Sequence, residues 1–189
     1  MSRPWPQWMV AARRESDGVS PAATPGSGTA TAEERLQKAL SLAFAYLNRR
    51  ERTVGEVEAY LGRKGIGPET AAAALDALRN DGYVDNARYA LMYVHDKREL
   101  DGWGSERIRR ELSARGIDRD LIENALAEHE AERGDGQTEL DRALALLRRR
   151  FPTPPRERRD RDRALGMLIR KGFDGELALD ALTAHARAA

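Results

Sequence analysis

Leu61-Gly62-Arg63-Lys64-Gly65-Ile66 returns as Leu112-Ser113-Ala114-Arg115-Gly116-Ile117 and again as Leu168-Ile169-Arg170-Lys171-Gly172-Phe173. In each copy a Leu stands four residues before a Gly, and a large apolar residue follows that Gly directly. Ten residues beyond each Gly comes a second match, in the pairs Ala74-Leu75, Ala125-Leu126 and Ala181-Leu182. A Gly in the left-handed conformation ends a helix, and the apolar residue behind it packs back on the turn just completed. The repeating unit is therefore read as helix, Gly-apolar turn, helix. The two intervals between the three glycines are close but unequal, as expected when loops vary and helix contacts do not.

Each of these units has a further helix in front of it. Leu36, Leu40, Phe44 and Leu47 recur at spacings of three and four, so they share one helical face. Thr31 and Glu34 offer a capping box, and this helix is expected to run to about Arg50. Tyr89 to Val94 and Leu140 to Leu147 open the second and third units in the same way. Thr53 and Glu56 repeat the capping-box pattern ahead of Val57, Tyr60 and Leu61. Pro68 stands at the start of the helix that carries Ala74, Leu75 and Leu78 as far as Asp81-Gly82. No stretch shows sustained period-two alternation. The predicted fold class is all-α: three tandem three-helix repeats over residues 31–84, 85–133 and 134–189, forming an elongated, curved array. Residues 1–30, rich in Ala, Pro, Gly, Ser and Thr, are expected to be a disordered N-terminal tail, and the Trp5/Trp8 cluster within it is assigned no role.

Composition fits several small cores better than one thick globule: of 189 residues, 41% are hydrophobic, 33% charged and only 6% aromatic. With 32 Lys and Arg against 31 Asp and Glu, the whole-molecule field exerts no strong pull toward nucleic acid or a membrane. Absence of Cys excludes disulfides and thiolate zinc sites, and His95, His129 and His185 are too far apart for a local metal motif. No apolar run is long enough for a signal segment or a membrane span. A cytoplasmic protein without cofactor, metal, membrane partner or small-molecule substrate is expected.

No paired carboxylates on an apolar background, no Ser or Cys beside a His, and no phosphate-cradling Gly loop occur in usable form, so no catalytic residues are assigned. Gly102-Trp103-Gly104 has too few glycines for a dinucleotide fingerprint and reads as a loop carrying a Trp. His95, beside Asp96, Lys97 and Arg98, and His129, between Glu128 and Glu130, read as solvated.

Gly82-Tyr83-Val84-Asp85-Asn86-Ala87-Arg88-Tyr89-Ala90, then Gly102-Trp103-Gly104-Ser105-Glu106-Arg107-Ile108-Arg109-Arg110-Glu111-Leu112, then Arg115-Gly116-Ile117, resembles the RecX family in both order and spacing. Arg49 to Thr53 and Leu168 to Phe173 resemble family segments at the corresponding places, so the likeness runs from about residue 36 to the C-terminus. One departure is Ser105, where the family usually carries Pro. Ser can cap a helix, so the fold is expected to survive the exchange. The resemblance implies a regulator that binds the RecA recombinase nucleoprotein filament and inhibits its extension or activity, modulating recombination, DNA repair and the SOS response.

Charge patterning supplies candidate contacts. Arg107, Arg110 and Arg115 read as lying with Arg109 on one short helix, near Trp103. Arg156, Arg158, Arg159, Arg161 and Arg163 form a second basic run, interspersed with Glu157, Asp160 and Asp162. Such a run is equally the pattern of a solvated helix laced with Glu157–Arg161 and Asp160–Arg163 pairs. Guanidinium groups suit acidic protein surface and DNA phosphate alike, so direct contact with single-stranded or double-stranded DNA stays open. Two other readings also stay open: a helical repeat protein acting directly on nucleic acid, and a helical scaffold for unrelated partners.

Overall fold

Thr53 shows how local chemistry sets a helix start. Its Oγ1 accepts the Glu56 N–H at 3.1 Å while Glu56 Oε2 accepts the Thr53 N–H at 3.1 Å, the reciprocal cap expected there. The computed structural model describes residues 30–132 and 138–187, and among these every regular element is a helix. In order they are α1 (Ala32–Leu47), α2 (Val54–Arg63), α3 (Pro68–Asn80), α4 (Asn86–Glu99), α5 (Ser105–Ser113), α6 (Arg119–Glu132), α7 (Glu139–Arg150), α8 (Arg158–Lys171) and α9 (Gly175–Arg187). The tail expected over residues 1–30, with Trp5 and Trp8, lies outside the described residues but for its last position.

Further starts follow the same logic. Asp85 Oδ1 accepts the N–H groups of Ala87 and Arg88 at the head of α4, and Thr138 with Asp141 forms a second reciprocal cap at α7. Pro68 opens α3, where its missing N–H costs nothing. α1 ends at Leu47, short of the expected Arg50. α5 ends at Ser113, which corrects the placement of Arg115: it sits in the turn before Gly116 and not on the helix.

The helices group in threes, α1–α3, α4–α6 and α7–α9, with the first and third of each group packed most extensively. The repeated positions of the sequence are the repeated core. Leu61, Leu112 and Leu168 are fully buried, and Ala74-Leu75, Ala125-Leu126 and Ala181-Leu182 are buried in all three copies. Ile117 and Phe173 are buried behind their glycines, whereas Ile66 is only half-buried. The second and third units hold separate apolar clusters, around Ile108 and Leu112 and around Leu147 and Leu168.

Neighbouring units join by one geometry used twice. The first residue of a unit's opening helix accepts the N–H of the first residue of the preceding unit's middle helix: Asn86 Oδ1 from Val54 at 2.9 Å, and Glu139 Oε1 from Ser105 at 2.6 Å. The residue ahead of that middle helix then donates to the carbonyl just before the next unit's glycine. Thr53 Oγ1 donates to Arg115 at 2.7 Å, and the Gly104 N–H donates to Lys171 at 2.9 Å. Both bonds satisfy amides or carbonyls that helix ends leave unpaired. Backbone approach is closest at Gly104 and Gly172. A side chain at Gly104 would run into the Gly172 carbonyl, and one at Gly172, whose φ is 92°, into Arg107.

Candidate functional site

The expected role of Ser105 as a cap is corrected by this junction. Gly104 occupies the cap position, and Ser105 is the first residue of α5, with its hydroxyl buried. Ser105 Oγ donates to Glu139 Oε2 at 2.7 Å and accepts from Arg98 Nη2 at 2.9 Å. The Glu139 carboxylate thus bridges the amide and hydroxyl of one residue from the following unit. Arg98, with 1% of its side chain exposed, also reaches Glu130 at 3.1 Å, and Arg142 meets the same carboxylate at 3.1 Å. Burial, followed by the neighbouring Arg142 charge, pulls the Arg98 guanidinium below its ordinary pKa.

Trp103 stands directly ahead of Gly104 in the chain. The Arg107 guanidinium stacks on its ring at 3.8 Å from the centroid, Lys97 stands at 4.8 Å, and Tyr93 meets the ring edge-on with centroids 6.4 Å apart. Arg107 Nη1 also donates to the Arg170 carbonyl at 3.2 Å. Arg115 is similarly engaged at the other junction, 3.4 Å from Glu56, 3.2 Å from the Tyr89 hydroxyl and 5.3 Å from the Tyr93 centroid. Burial alone would push the Glu56 carboxyl up, but hydrogen bonds from Arg50 and the Thr53 N–H, with the Arg50 and Arg115 charges, hold it below the ordinary range.

The remaining candidates stand in the open. Arg110 is exposed on α5, and Arg156, Arg158, Arg159, Arg161 and Arg163 are exposed at and before the N-terminal half of α8. The pairs found there are Arg163–Asp160 at 3.3 Å, as read from the sequence, and Arg158–Asp162 at 3.9 Å. Glu157 acts through its backbone carbonyl, which accepts from Asp160 and Arg161 at the start of α8. The structure therefore splits the candidates into two sets: Trp103, Arg107 and Arg115 bound into the junctions between units, and the α8 run with Arg110 exposed at the surface.

Three family patterns match in chain order: RecX, first three-helix domain, over residues 39–78; RecX, second three-helix domain, over 85–126; and RecX, third three-helix domain, over 137–182. The chain belongs to the RecX family. Regulatory protein RecX of Xanthomonas campestris pv. campestris is 38% identical over 141 residues, covering 74% of this chain and 80% of its own. Regulatory protein RecX of Mycolicibacterium vanbaalenii is 32% identical over 157 residues, covering 80% and 84%. The crystal structure of RecX from Lactobacillus salivarius matches with a TM-score of 0.68 at 22% identity, over 83% of this chain and 99% of that one, a likeness of fold.

Within this RecX fold one histidine departs from expectation. His129 is buried, with Nδ1 3.2 Å from Arg98 Nη1 and Nε2 3.4 Å from Glu99, which corrects its reading as solvated. His185 is buried too and lies 2.8 Å from the Phe151 carbonyl. The repeat alignment carried the signal: His129 and His185 stand as far beyond Gly116 and Gly172 as buried Leu78 stands beyond Gly65. His95 is exposed, as read. Among the described residues no group of His, Cys, Asp and Glu is placed to hold a metal ion, and no helix is long and apolar enough to cross a membrane.

Proposed function

We propose that this chain regulates a RecA recombinase by binding its nucleoprotein filament and inhibiting filament extension or activity, and thereby modulates recombination, DNA repair and the SOS response. What carries the reading is the match of all three units, in order, to the three RecX domains. The protein acts by binding and not by catalysis, in the cytoplasm where such filaments assemble. Arg110, Arg156, Arg158, Arg159, Arg161 and Arg163 supply contacts to the filament's acidic surface or its DNA phosphates. Arg107, Arg115 and Trp103 serve by fixing one unit against the next. Tandem units reach successive protomers, so individually weak contacts multiply through effective concentration.

The test is inhibition of filament-driven ATP hydrolysis on single-stranded DNA by the Arg158→Gln/Arg161→Gln and Arg110→Gln variants. Weakened inhibition with unchanged helix content supports the contact surface, and full inhibition by both variants removes it. A parallel titration on bare single-stranded and double-stranded DNA at two salt concentrations separates the partners. Tight binding to bare duplex at physiological salt would favour a direct nucleic-acid reader.

A further inference from the structure

Arg109 stands seven residues before Gly116 and Glu123 seven beyond it, and the two close an ion pair at 2.7 Å. These positions therefore lie side by side across a unit's middle and last helices. In the third unit the same two positions, counted from Gly172, carry Leu165 and Leu179. One turn beyond Leu165 on the same face of α8 comes Ile169, where the first two units have Gly62 and Ser113. Leu165 is half-buried against the core of its unit, but Ile169 is 46% and Leu179 51% exposed. A face that is polar or small in the other units is thus an apolar patch in this one. Its rim carries both signs of charge. Arg161 precedes Leu165 by one turn on α8, and Glu176 precedes Leu179 by one turn on α9. Both are exposed, and neither has an ion pair among the described residues.

We propose that this face docks the third unit on protein, against an apolar spot on the surface of a recombinase protomer. Ile169 and Leu179 are its anchors, and Arg161 and Glu176 meet opposite charges beside that spot. The inference rests on the filament reading above and chooses, for this surface, between the two partners that its arginines suit. A phosphate backbone would leave Ile169 and Leu179 in water and would run against the Glu176 carboxylate, whereas surfaces that bind DNA are strongly positive. An apolar centre inside a polar rim is the anatomy of a protein–protein contact. The patch is small, so one such contact is weak, and it adds to those of the other units through their linkage.

The experiment uses the full chain and measures two things: the concentration that half-inhibits filament-driven ATP hydrolysis on single-stranded DNA, and binding to the immobilised recombinase free of DNA. Ile169→Ser/Leu179→Glu gives this face the residues that the second unit carries at the same positions, so it is expected to fold, which helix content and the urea midpoint check. It should inhibit and bind about tenfold more weakly, or worse. Ile169→Lys/Leu179→Lys separates the partners by sign. Added positive charge weakens docking on an apolar protein surface and tightens docking on phosphate. Inhibition by this second variant that equals or exceeds that of the native chain overturns the inference, and so does unchanged binding by the first. In either case the native chain still inhibits, and the filament reading stands. A native chain that leaves hydrolysis unaffected removes that reading and this inference with it.

Discussion

The Gly104 N–H donates to the Lys171 carbonyl at 2.9 Å, so the start of one unit's middle helix rests directly on the turn that ends the next unit's. No side chain fits between them. Gly104→Ala would press a methyl group into the Gly172 backbone, and Gly172→Ala would add left-handed strain to a clash with Arg107. Each substitution is expected to lower stability by about 2–3 kcal/mol, read as a shift in the urea midpoint. Gly62→Ala, at an exposed helical position with open space around it, serves as the control and should be neutral or slightly stabilising. A change below 0.5 kcal/mol at Gly104 would contradict the described packing.

Ser105→Ala removes the hydroxyl that links Arg98 to Glu139 and takes one hydrogen bond from each of these charged groups. A loss of about 1–3 kcal/mol is expected. Glu139→Gln retains an acceptor for the Ser105 amide but not its charge, so its effect should be the smaller of the two. Equal stability for native protein and Ser105→Ala in chemical denaturation would deny the network any energetic role.

Glu56 gives the junction between the first two units a pH dependence of known sign. Its carboxyl is held below the ordinary range in the folded chain. Its contribution is therefore complete above the unfolded value and is lost as pH falls through the lower folded one. Glu56→Gln should cost about 1–2 kcal/mol at neutral pH. That difference should shrink toward zero below about pH 4, the ordinary carboxylate range. Denaturation curves of both proteins at several pH values check this, and a difference growing with acidity would refute it.

Arg107 and Trp103 should couple. A double-mutant cycle with Arg107→Ala and Trp103→Leu is expected to return about 1 kcal/mol of interaction, because the stacked pair is half-buried. Arg107→Lys keeps the charge but loses the planar stack and should recover only part of it. Additive single effects would show that the stacking contributes nothing to stability.

Legibility from sequence followed the range of each interaction. The Thr53–Glu56 cap, Pro68 at the head of α3 and the Leu-Gly-apolar ladder depend on neighbours within one or two turns, so pattern reading found them. Ser105 differs from its reading because its partners lie outside its own helical turn, Arg98 7 residues before it and Glu139 34 residues beyond. Locally it is a small hydroxyl residue ahead of a helix, which is how a cap looks. Arg107 was readable as basic but not as a stacking partner, although Trp103 lies one helical turn before it. Arg115 was assigned to a helix because the end of α5 depends on the Gly116 turn and not on propensity.

The doubled junction also governs how this chain could vary in length. A segment that begins its opening helix with a side-chain acceptor such as Asn86 or Glu139, and closes its middle helix with a glycine turn, carries both halves of the connection. Inserted between two existing segments, it would meet compatible surfaces on either side. Growth by duplication then requires no newly invented contact, and lineages with extra copies are reachable by a single genetic step.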